Sequence, residues 1–304
     1  MGPQPLPGVE ATPGVEHRVI RVDGNPVSVY SAGAPSHPSV VLLHGAMYDE
    51  ARFVWDQVFF ELAGSYRVHA IDAPRHGRSR PWPGHLGNDR LLGILEQTFL
   101  ALGLERFNLV GLLMGGGLSI GYAARHPEQV ISAALFEPGG LGDKLDRHVL
   151  TWLWIRTPGT RRLLNRWLVR KRRPALMKTL RSLYVGGSRP TAPDRLVGIL
   201  KDEVDGKARF HESDLDDWQT DAVGPLRLTW NLLDQIPALA CPTLWLRGAD
   251  SVMVKQHEME RAVSLAGVDA NLVVIPGAGH LLPLERPHEV RQALLAFLDS
   301  HNSL

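Results

Sequence analysis

Apolar runs suited to buried strands alternate along this chain with amphipathic helical stretches, and this alternation restricts the fold more than any other feature. It is typical of a parallel sheet that helices cover on both faces. The predicted strands are residues 17–23, 26–32, 39–44, 66–72, 106–111, 130–137, 242–247 and 271–275. The predicted helices are residues 54–63, 89–102, 113–125, 256–265 and 287–298. The sequence therefore predicts an α/β fold.

The alternation stops at Pro138 and resumes at Pro242. Roughly a hundred helix-like residues lie between them, too many for a loop inside a compact domain. We therefore predict an inserted helical cap, called here the cap segment (residues 139–241), between two parts of a core domain (residues 17–138 and 242–304). Residues 1–16 are rich in Pro and Gly without periodicity, and they are predicted to form a flexible leader.

The charges of the 304 residues nearly cancel, with 33 Lys and Arg against 32 Asp and Glu, which argues against a nucleic-acid partner. The single cysteine, Cys241, excludes an internal disulfide. No targeting signal is evident at the start, so a cytoplasmic location is expected. The longest uncharged run, residues 107–124, contains Asn108 and five glycines, and is expected to be a buried strand and turn. We predict no membrane partner, no metal and no cofactor.

Charge is uneven within the cap segment. Residues 147–193 contain no Asp or Glu but many Arg and Lys, whereas residues 201–221 are strongly acidic. One interpretation is two solvated helix faces that pair with each other or with water. The alternative is a cationic rim that attracts an anionic small molecule or a carrier-bound substrate.

Four motifs follow one another in the core domain. VVLLHG ends at Gly45, RVHAIDAPRHGRS ends at Ser79, NLVGLLMGGG ends at Gly117, and IPGAGHLLPLERP ends at Pro287. Together they resemble the α/β-hydrolase family over nearly the whole chain, from about residue 17 to residue 298. The resemblance implies a mostly parallel eight-stranded sheet flanked by helices, with an inserted helical cap.

The turn that holds the nucleophile in this family has the pattern G-x-S-x-G. Here it is Gly111-Leu112-Leu113-Met114-Gly115, so Leu113 stands where the serine is expected. Leucine has no lone pair and no ionisable proton, and it cannot form a covalent acyl intermediate. Neither Ser119 nor Cys241 is placed to replace the serine. The ordinary serine-hydrolase mechanism is therefore excluded by the sequence.

The resemblance implies that His280, in the GAGH motif, is the general base. Its carboxylate partner has two candidates. Asp250 follows the strand at residues 242–247, one residue earlier than the family's usual slot, which is Ser251. Glu137 ends the strand at residues 130–137, where some family members carry the acid. Asp250 is slightly favoured.

The oxyanion hole of the family is made by backbone N–H groups, so it needs no particular side chain. The resemblance places it at Met114 and at Ala46 or Met47. The expected substrate pocket is formed by four further side chains: His44, Tyr48, Leu112 and Leu113.

Three functions fit these features. The first is an enzyme that uses His280 and the oxyanion hole on a small, largely apolar carbonyl substrate without acyl transfer, as an isomerase, lyase, cyclase or cofactor-free oxygenase. Its composition would suit secondary metabolism. The second is a catalytically dead binding or scaffold protein. The third is a hydrolase in which His280 activates water. Retention of His280 with a nearby acid favours the first over the second, since binding alone needs neither residue.

Overall fold

A mixed eight-stranded sheet organises the chain. The computed structural model describes residues 14–157, 159, 193–229, 231–267 and 269–302. The strands are β1 (Glu16–Val22), β2 (Asn25–Ala32), β3 (Ser39–Leu43), β4 (Arg67–Ile71), β5 (Phe107–Leu112), β6 (Val130–Phe136), β7 (Thr243–Gly248) and β8 (Ala270–Ile275). Their order is β1-β2-β4-β3-β5-β6-β7-β8, and only β2 pairs antiparallel with its neighbours β1 and β4. The predicted eight-stranded, mostly parallel sheet is confirmed.

Helices follow most of the parallel strands. Those in the core domain are α1 (Ala51–Val54), α2 (Asp56–Leu62), α3 (Asn88–Leu102), α4 (Met114–Arg125), α8 (Gln256–Leu265), α9 (Leu282–Glu285) and α10 (Pro287–His301). The helices described in the cap segment are α5 (His148–Arg156), α6 (Pro193–Arg209) and α7 (Asp217–Ala222), followed by 3-10 turns at Leu232–Asp234 and Ile236–Ala238. No helix within the described ranges is both long enough and apolar enough to cross a bilayer.

Two differences from the prediction concern the first helix and the leader. The expected helix at residues 54–63 is interrupted at Trp55, whose φ of −94° and ψ of 5° end α1 before α2 begins. The expected leader at residues 1–16 lies mostly outside the described residues, and its last residue, Glu16, begins β1 because it pairs with Ser31 of β2.

The core lies on both faces of the sheet. In β3, Val40 and Leu42 point to the face covered by α2 and α10, while Val41 and Leu43 point to the face covered by α3 and α4. This alternation follows from the two-residue period of a strand. The carboxyl ends of the parallel strands meet at one edge of the sheet, which is where open α/β sheets bind ligands.

Close packing between α4 and β3 depends on Gly115. A Cβ atom at this position would lie 2.2 Å from the carbonyl oxygen of Leu43. We expect Gly115→Ala to lower the free energy of unfolding by about 3 kcal/mol or more, since backbone must move to relieve the clash. Gly93→Ala is the matched control in α3, where the added methyl meets nothing within 4 Å and is expected to stabilise by up to about 1 kcal/mol. Urea denaturation of both variants checks this, and equal stability of Gly115→Ala and wild type would contradict it.

Acidic side chains of the cap segment are buried against the core loop at residues 75–80, which we call the clasp loop. Arg80 binds the carboxylates of both Glu203 and Glu212, and the Nε–Oε2 distance to Glu212 is 2.7 Å. Glu203 also accepts a 2.9 Å hydrogen bond from the backbone N–H of Gly77. Arg75 pairs with Asp217 at 2.9 Å. The expectation of a solvated acidic face is therefore wrong for these residues, which pair with core arginines.

The basic part of the cap segment lies largely outside the described residues. Of the cluster from Arg156 to Arg181, the structure describes only Arg156, which is exposed. The predicted cationic rim stays a prediction.

Candidate active site

Leu113 occupies a strained turn between β5 and α4. Its φ of 47° and ψ of −103° are unusual for a residue with a side chain. The turn is fixed by its backbone: Leu113 donates to the carbonyl of Phe136 at 3.0 Å, and its own carbonyl accepts from Gly117 and Gly139 at 2.9 Å. Helix α4 begins only at Met114, one residue later than predicted. The sharp turn of a nucleophile elbow is thus kept although the residue at its tip is leucine.

Backbone strain recurs at other residues of this edge. Met47 has a φ of 67° and Glu137 a φ of 41°, so both adopt positive φ without being glycine. Such conformations cost about 1–3 kcal/mol each and persist only where surrounding contacts enforce them. The strained residues here include three of those that the sequence assigned to the site.

Glu137 and His280 meet at the carboxyl edge of the sheet. His280 Nδ1 lies 2.7 Å from Glu137 Oε2. The Glu137 side chain is completely buried and accepts two more hydrogen bonds, from the N–H of Gly248 at 3.0 Å and from the hydroxyl of Ser251 at 2.6 Å. A buried carboxylate needs such donors to offset the loss of hydration. Glu137 is therefore held in one position beside the imidazole.

Asp250, the favoured acid in the sequence, is not the residue that contacts His280. It is exposed on the loop after β7, and its backbone N–H donates to the carbonyl of Ala278 at 3.0 Å. The expectation for Asp250 is corrected because this loop places Ser251, and not Asp250, against Glu137 of the Glu137–His280 pair, which we call the dyad. Ser251 is a contact that the sequence did not predict, although it occupies the position where the family usually carries its acid.

The hydrogen bond to Glu137 sets the tautomer of His280. A carboxylate only accepts, so Nδ1 carries the proton and donates it to Glu137. Nε2 then has a free lone pair, and the ring is partly exposed on that edge of the protein. This arrangement lets Nε2 accept a proton while Glu137 stabilises the imidazolium that forms.

Two backbone amides in the predicted oxyanion hole are buried and unpaired. Ala46 and Met114 are 8% and 2% exposed, and neither N–H donates to an acceptor within the described part of the chain. A buried amide without a partner is rare and marks a place for an acceptor. Met47, the alternative to Ala46, is different, because its N–H donates to Asp216 Oδ2 at 2.7 Å. The geometry therefore favours Ala46 and Met114.

Asp216 is a cap-segment residue that contacts the loop with Ala46 and Met47, which we call the oxyanion loop. It is the N-cap residue of α7, and its carboxylate lies 3.1 Å from His76 Nε2 and 3.3 Å from Lys207 Nζ. Burial by itself would raise the pKa of this carboxyl, but Lys207, His76 and the Met47 N–H outweigh it and hold the pKa well below the usual value for aspartate. Asp216 is thus ionised and ties the cap segment to the loop that carries Ala46. The acidic run made this segment visible in the sequence, but nothing there singled out Asp216.

We expect Asp216→Asn to reduce stability in a pH-dependent way. The ionised carboxylate stabilises the folded state fully above its unfolded pKa of about 3.9, and this contribution is lost as the pH falls toward the lower folded pKa. At pH 7 the free energy of unfolding of the variant should be about 2–4 kcal/mol lower than that of wild type, because Lys207 loses its charged partner. The difference from wild type should shrink below about pH 4. Denaturation of both proteins across this range is the measurement, with exposed Asp250→Asn as the control; a constant difference would contradict the assignment.

Two expected pocket residues lie elsewhere. His44 is buried, with Nδ1 donating to the Gly45 carbonyl at 2.7 Å and Nε2 accepting from the Ala73 N–H at 2.9 Å. Burial lowers its pKa well below the usual histidine value, so the ring is neutral and structural. Leu112 is also buried and packs in the core. Among the described residues both side chains are packed in the protein interior, His44 and Leu112 each being 1% exposed.

The other two pocket candidates are half-buried. Leu113 packs against the apolar residues of both sheet faces. Its Cδ1 lies 3.6 Å from the place where a Cβ on Gly139 would be, close to the ring of Trp218 in α7. The hydroxyl of Tyr48 faces Asp214, and burial together with this carboxyl raises the pKa of Tyr48 far above the usual value. The side chain of Leu113 therefore lies close to an aromatic ring of the cap segment, whereas Tyr48 faces one of its carboxyl groups.

Comparison with known proteins gives relatives along nearly the full chain. The dihydrolipoyllysine-residue acetyltransferase component of the acetoin cleaving system of Pseudomonas putida is 26% identical over 302 residues, covering 97% of this chain and 72% of the relative. The uncharacterized carboxylesterase nap of Bacillus subtilis (strain 168) is 24% identical over 287 residues, covering 91% of this chain and 84% of the relative.

Solved structures share the fold. A membrane phospholipase A described as a bacterial virulence factor superposes with a TM-score of 0.76 at 24% identity, covering 96% of this chain and 88% of that one. The model of a family described as "Alpha/beta hydrolase family" matches residues 40–293, which include the elbow, Glu137 and His280. The chain therefore belongs to the alpha/beta hydrolase family.

Proposed function

We propose that this protein is an enzyme that uses His280 as an acid–base catalyst, with Ala46 and Met114 as an oxyanion hole, on a small and largely apolar carbonyl substrate. No acyl-enzyme forms, because Leu113 offers no nucleophile. The observation that supports this function most is the Glu137–His280 dyad beside an elbow without serine.

The dyad is costly to keep without a use. A fully buried carboxylate with three hydrogen bonds, next to a strained elbow, lowers stability relative to an apolar core of the same volume. A scaffold protein needs neither the charge nor the strain. This favours an enzyme over the binding-protein alternative.

The chemistry follows from the position of each group. A substrate carbonyl oxygen would accept hydrogen bonds from the N–H groups of Ala46 and Met114, which polarise it. His280 Nε2 would then take a proton from the carbon next to the carbonyl, giving an enolate whose oxygen lies in the hole and an imidazolium against Glu137. Return of the same proton to another atom of the substrate completes an isomerisation, or its return with loss of a leaving group completes a cleavage. The apolar surroundings of Leu113 suit an apolar substrate body.

A second candidate is a hydrolase in which His280 activates water. It is favoured by the relatives, which include proteins named as carboxylesterases. In this case the water proton moves to Nε2 and hydroxide attacks the carbonyl carbon, and the tetrahedral intermediate then breaks its bond to the alcohol oxygen, which takes the proton back from Nε2 to give a carboxylic acid and an alcohol. The same Glu137–His280 pair would serve in both reactions.

The test measures both reactions on the same protein. Wild type, His280→Ala and Glu137→Gln are incubated in D₂O with a panel of small apolar ketones, and deuterium incorporation beside the carbonyl is followed by proton NMR. The three proteins are also assayed with p-nitrophenyl esters. We expect wild type to exchange deuterium into at least one ketone and both variants to lose this exchange. Ester hydrolysis that depends on His280, without exchange, would replace the proposal by the water-activating hydrolase.

A further inference from the structure

Helix α5 of the cap segment exposes an apolar stripe. Its side chains Val149, Leu150, Leu153 and Trp154 are all exposed, Leu150 by 64%. These positions lie on one face of a helix, because their spacing follows its turn. Only His148 and Ile155 of this helix are buried. A helix at the surface of a soluble protein normally shows the opposite pattern, with its apolar stripe turned inward.

Further exposed apolar residues lie just before α5 and in the loop after β7. Leu145, just before α5, is also exposed, and we call Leu145 together with the stripe the apolar face of α5. The adjacent Asp146 pairs with Lys255 at 2.7 Å, which joins this segment to the loop after β7. That loop carries Val252 and Met253, exposed by 89% and 56%.

This loop also contacts the dyad. Ser251, which donates to Glu137, directly precedes Val252. Val252 is therefore the chain neighbour of a residue that hydrogen-bonds the carboxylate of the acid–base pair.

Three basic side chains lie in or just before α5. Lys144, Arg147 and Arg156 are exposed beside or within α5. The two nearby acids, Asp143 and Asp146, are paired with Arg261 and Lys255. The sequence has no further Asp or Glu until Asp194. An anionic occupant complements this border, whereas a second copy of the chain would bring like charges together.

We propose that the apolar face of α5 docks on an anionic lipid surface, with the apolar side chains in the outer part of the bilayer and the basic ones at the phosphates. A helix with Leu and Trp on one side and Arg or Lys at its borders lies in the plane of such an interface. Docking would bring the loop with Val252 and Met253, and with it the dyad, close to the lipid. The proposal differs from the expectation that no membrane partner exists, and it does not depend on the reaction proposed above.

The experiment uses flotation with vesicles of phosphatidylcholine mixed with phosphatidylglycerol and vesicles of phosphatidylcholine alone. We expect the wild-type protein to float with the mixed vesicles, to bind neutral vesicles at least about tenfold more weakly, and to lose affinity as salt is raised. The variant with Leu150→Glu and Leu153→Glu should bind the mixed vesicles at least about tenfold more weakly. Both positions are exposed, so the thermal unfolding midpoint should stay that of wild type.

Leu100→Glu is the matched control, since this leucine is 80% exposed at the end of core helix α3. It should bind vesicles as wild type does. Absence of binding to the mixed vesicles, or binding that the α5 variant leaves unchanged, would overturn the proposal. So would a wild-type dimer in analytical ultracentrifugation that the α5 variant abolishes, because a second copy would then cover the face.

Discussion

Replacement of Leu113 by serine is expected to create a site that a fluorophosphonate labels to one adduct per chain, whereas wild type stays unlabelled. The elbow keeps the positive φ of Leu113, so a serine there would hold its hydroxyl at the tip of the turn. His280 Nε2 is available as the base, and the Ala46 and Met114 amides are free to bind the phosphonyl oxygen. Intact mass followed by peptide mapping measures the adduct.

Two controls define what the label means. Leu113→Ala should remain unlabelled, and Leu113→Ser combined with His280→Ala should label at least about a hundredfold more slowly, since the base is missing. A wild-type adduct on the peptide that contains Leu113 would contradict our assignment of the elbow. A folded but unlabelled Leu113→Ser variant would show that His280 does not face the elbow.

His280→Ala should lower the rate on any ketone that wild type deuterates by about 100- to 10,000-fold, the usual contribution of a general base. Affinity should change by less than about tenfold, because binding in an apolar pocket depends mainly on contacts that the variant keeps. Exchange rates and calorimetric titration of the same ketone measure the two quantities.

The dyad carboxylate is tested by comparing two variants. Glu137→Gln should slow the exchange, since the imidazolium loses its compensating charge, and Asp250→Asn should not. For the His280→Ala prediction, unchanged turnover would show that this histidine takes no part in catalysis. Loss of binding together with turnover would make it a ligand contact instead of the base.

The sequence predicted the sheet well because strands that are buried on both faces consist mainly of apolar residues, which the sequence shows directly. Runs such as VVLL in β3 are apolar at every position, as expected of strands covered on both faces. The helix boundaries were less accurate where one residue decides them. Trp55 divides α1 from α2, and Leu113 stands outside α4, because tertiary contacts set their backbone angles.

The acid of the site could not be chosen from the sequence. Asp250 and Ser251 are neighbours, and the loop conformation after β7 decides which of them turns toward Glu137 and His280. Spacing along the chain carries no information on such a loop. By contrast, Glu137 ends a predicted strand, and a residue at the end of a buried strand has a position that topology fixes.

The oxyanion loop shows a second limit. The sequence placed Ala46 and Met47 equally near the hole, and only the contact from Asp216 distinguishes them. That contact joins positions 169 residues apart, so a single sequence gives no sign of it. The same holds for the acidic cap residues, whose charge is visible in the sequence while their burial is not.

The clasp loop makes the cap segment and the core domain inseparable as folding units. Arg80 is buried between Glu203 and Glu212, so the core without the cap segment would hold a cation without its partners, and the cap segment alone would hold two carboxylates without their cation. Unfolding should therefore occur in one cooperative transition. Exchange of cap segments among relatives, whether by evolution or by engineering, would require residues 75–80 to move with them.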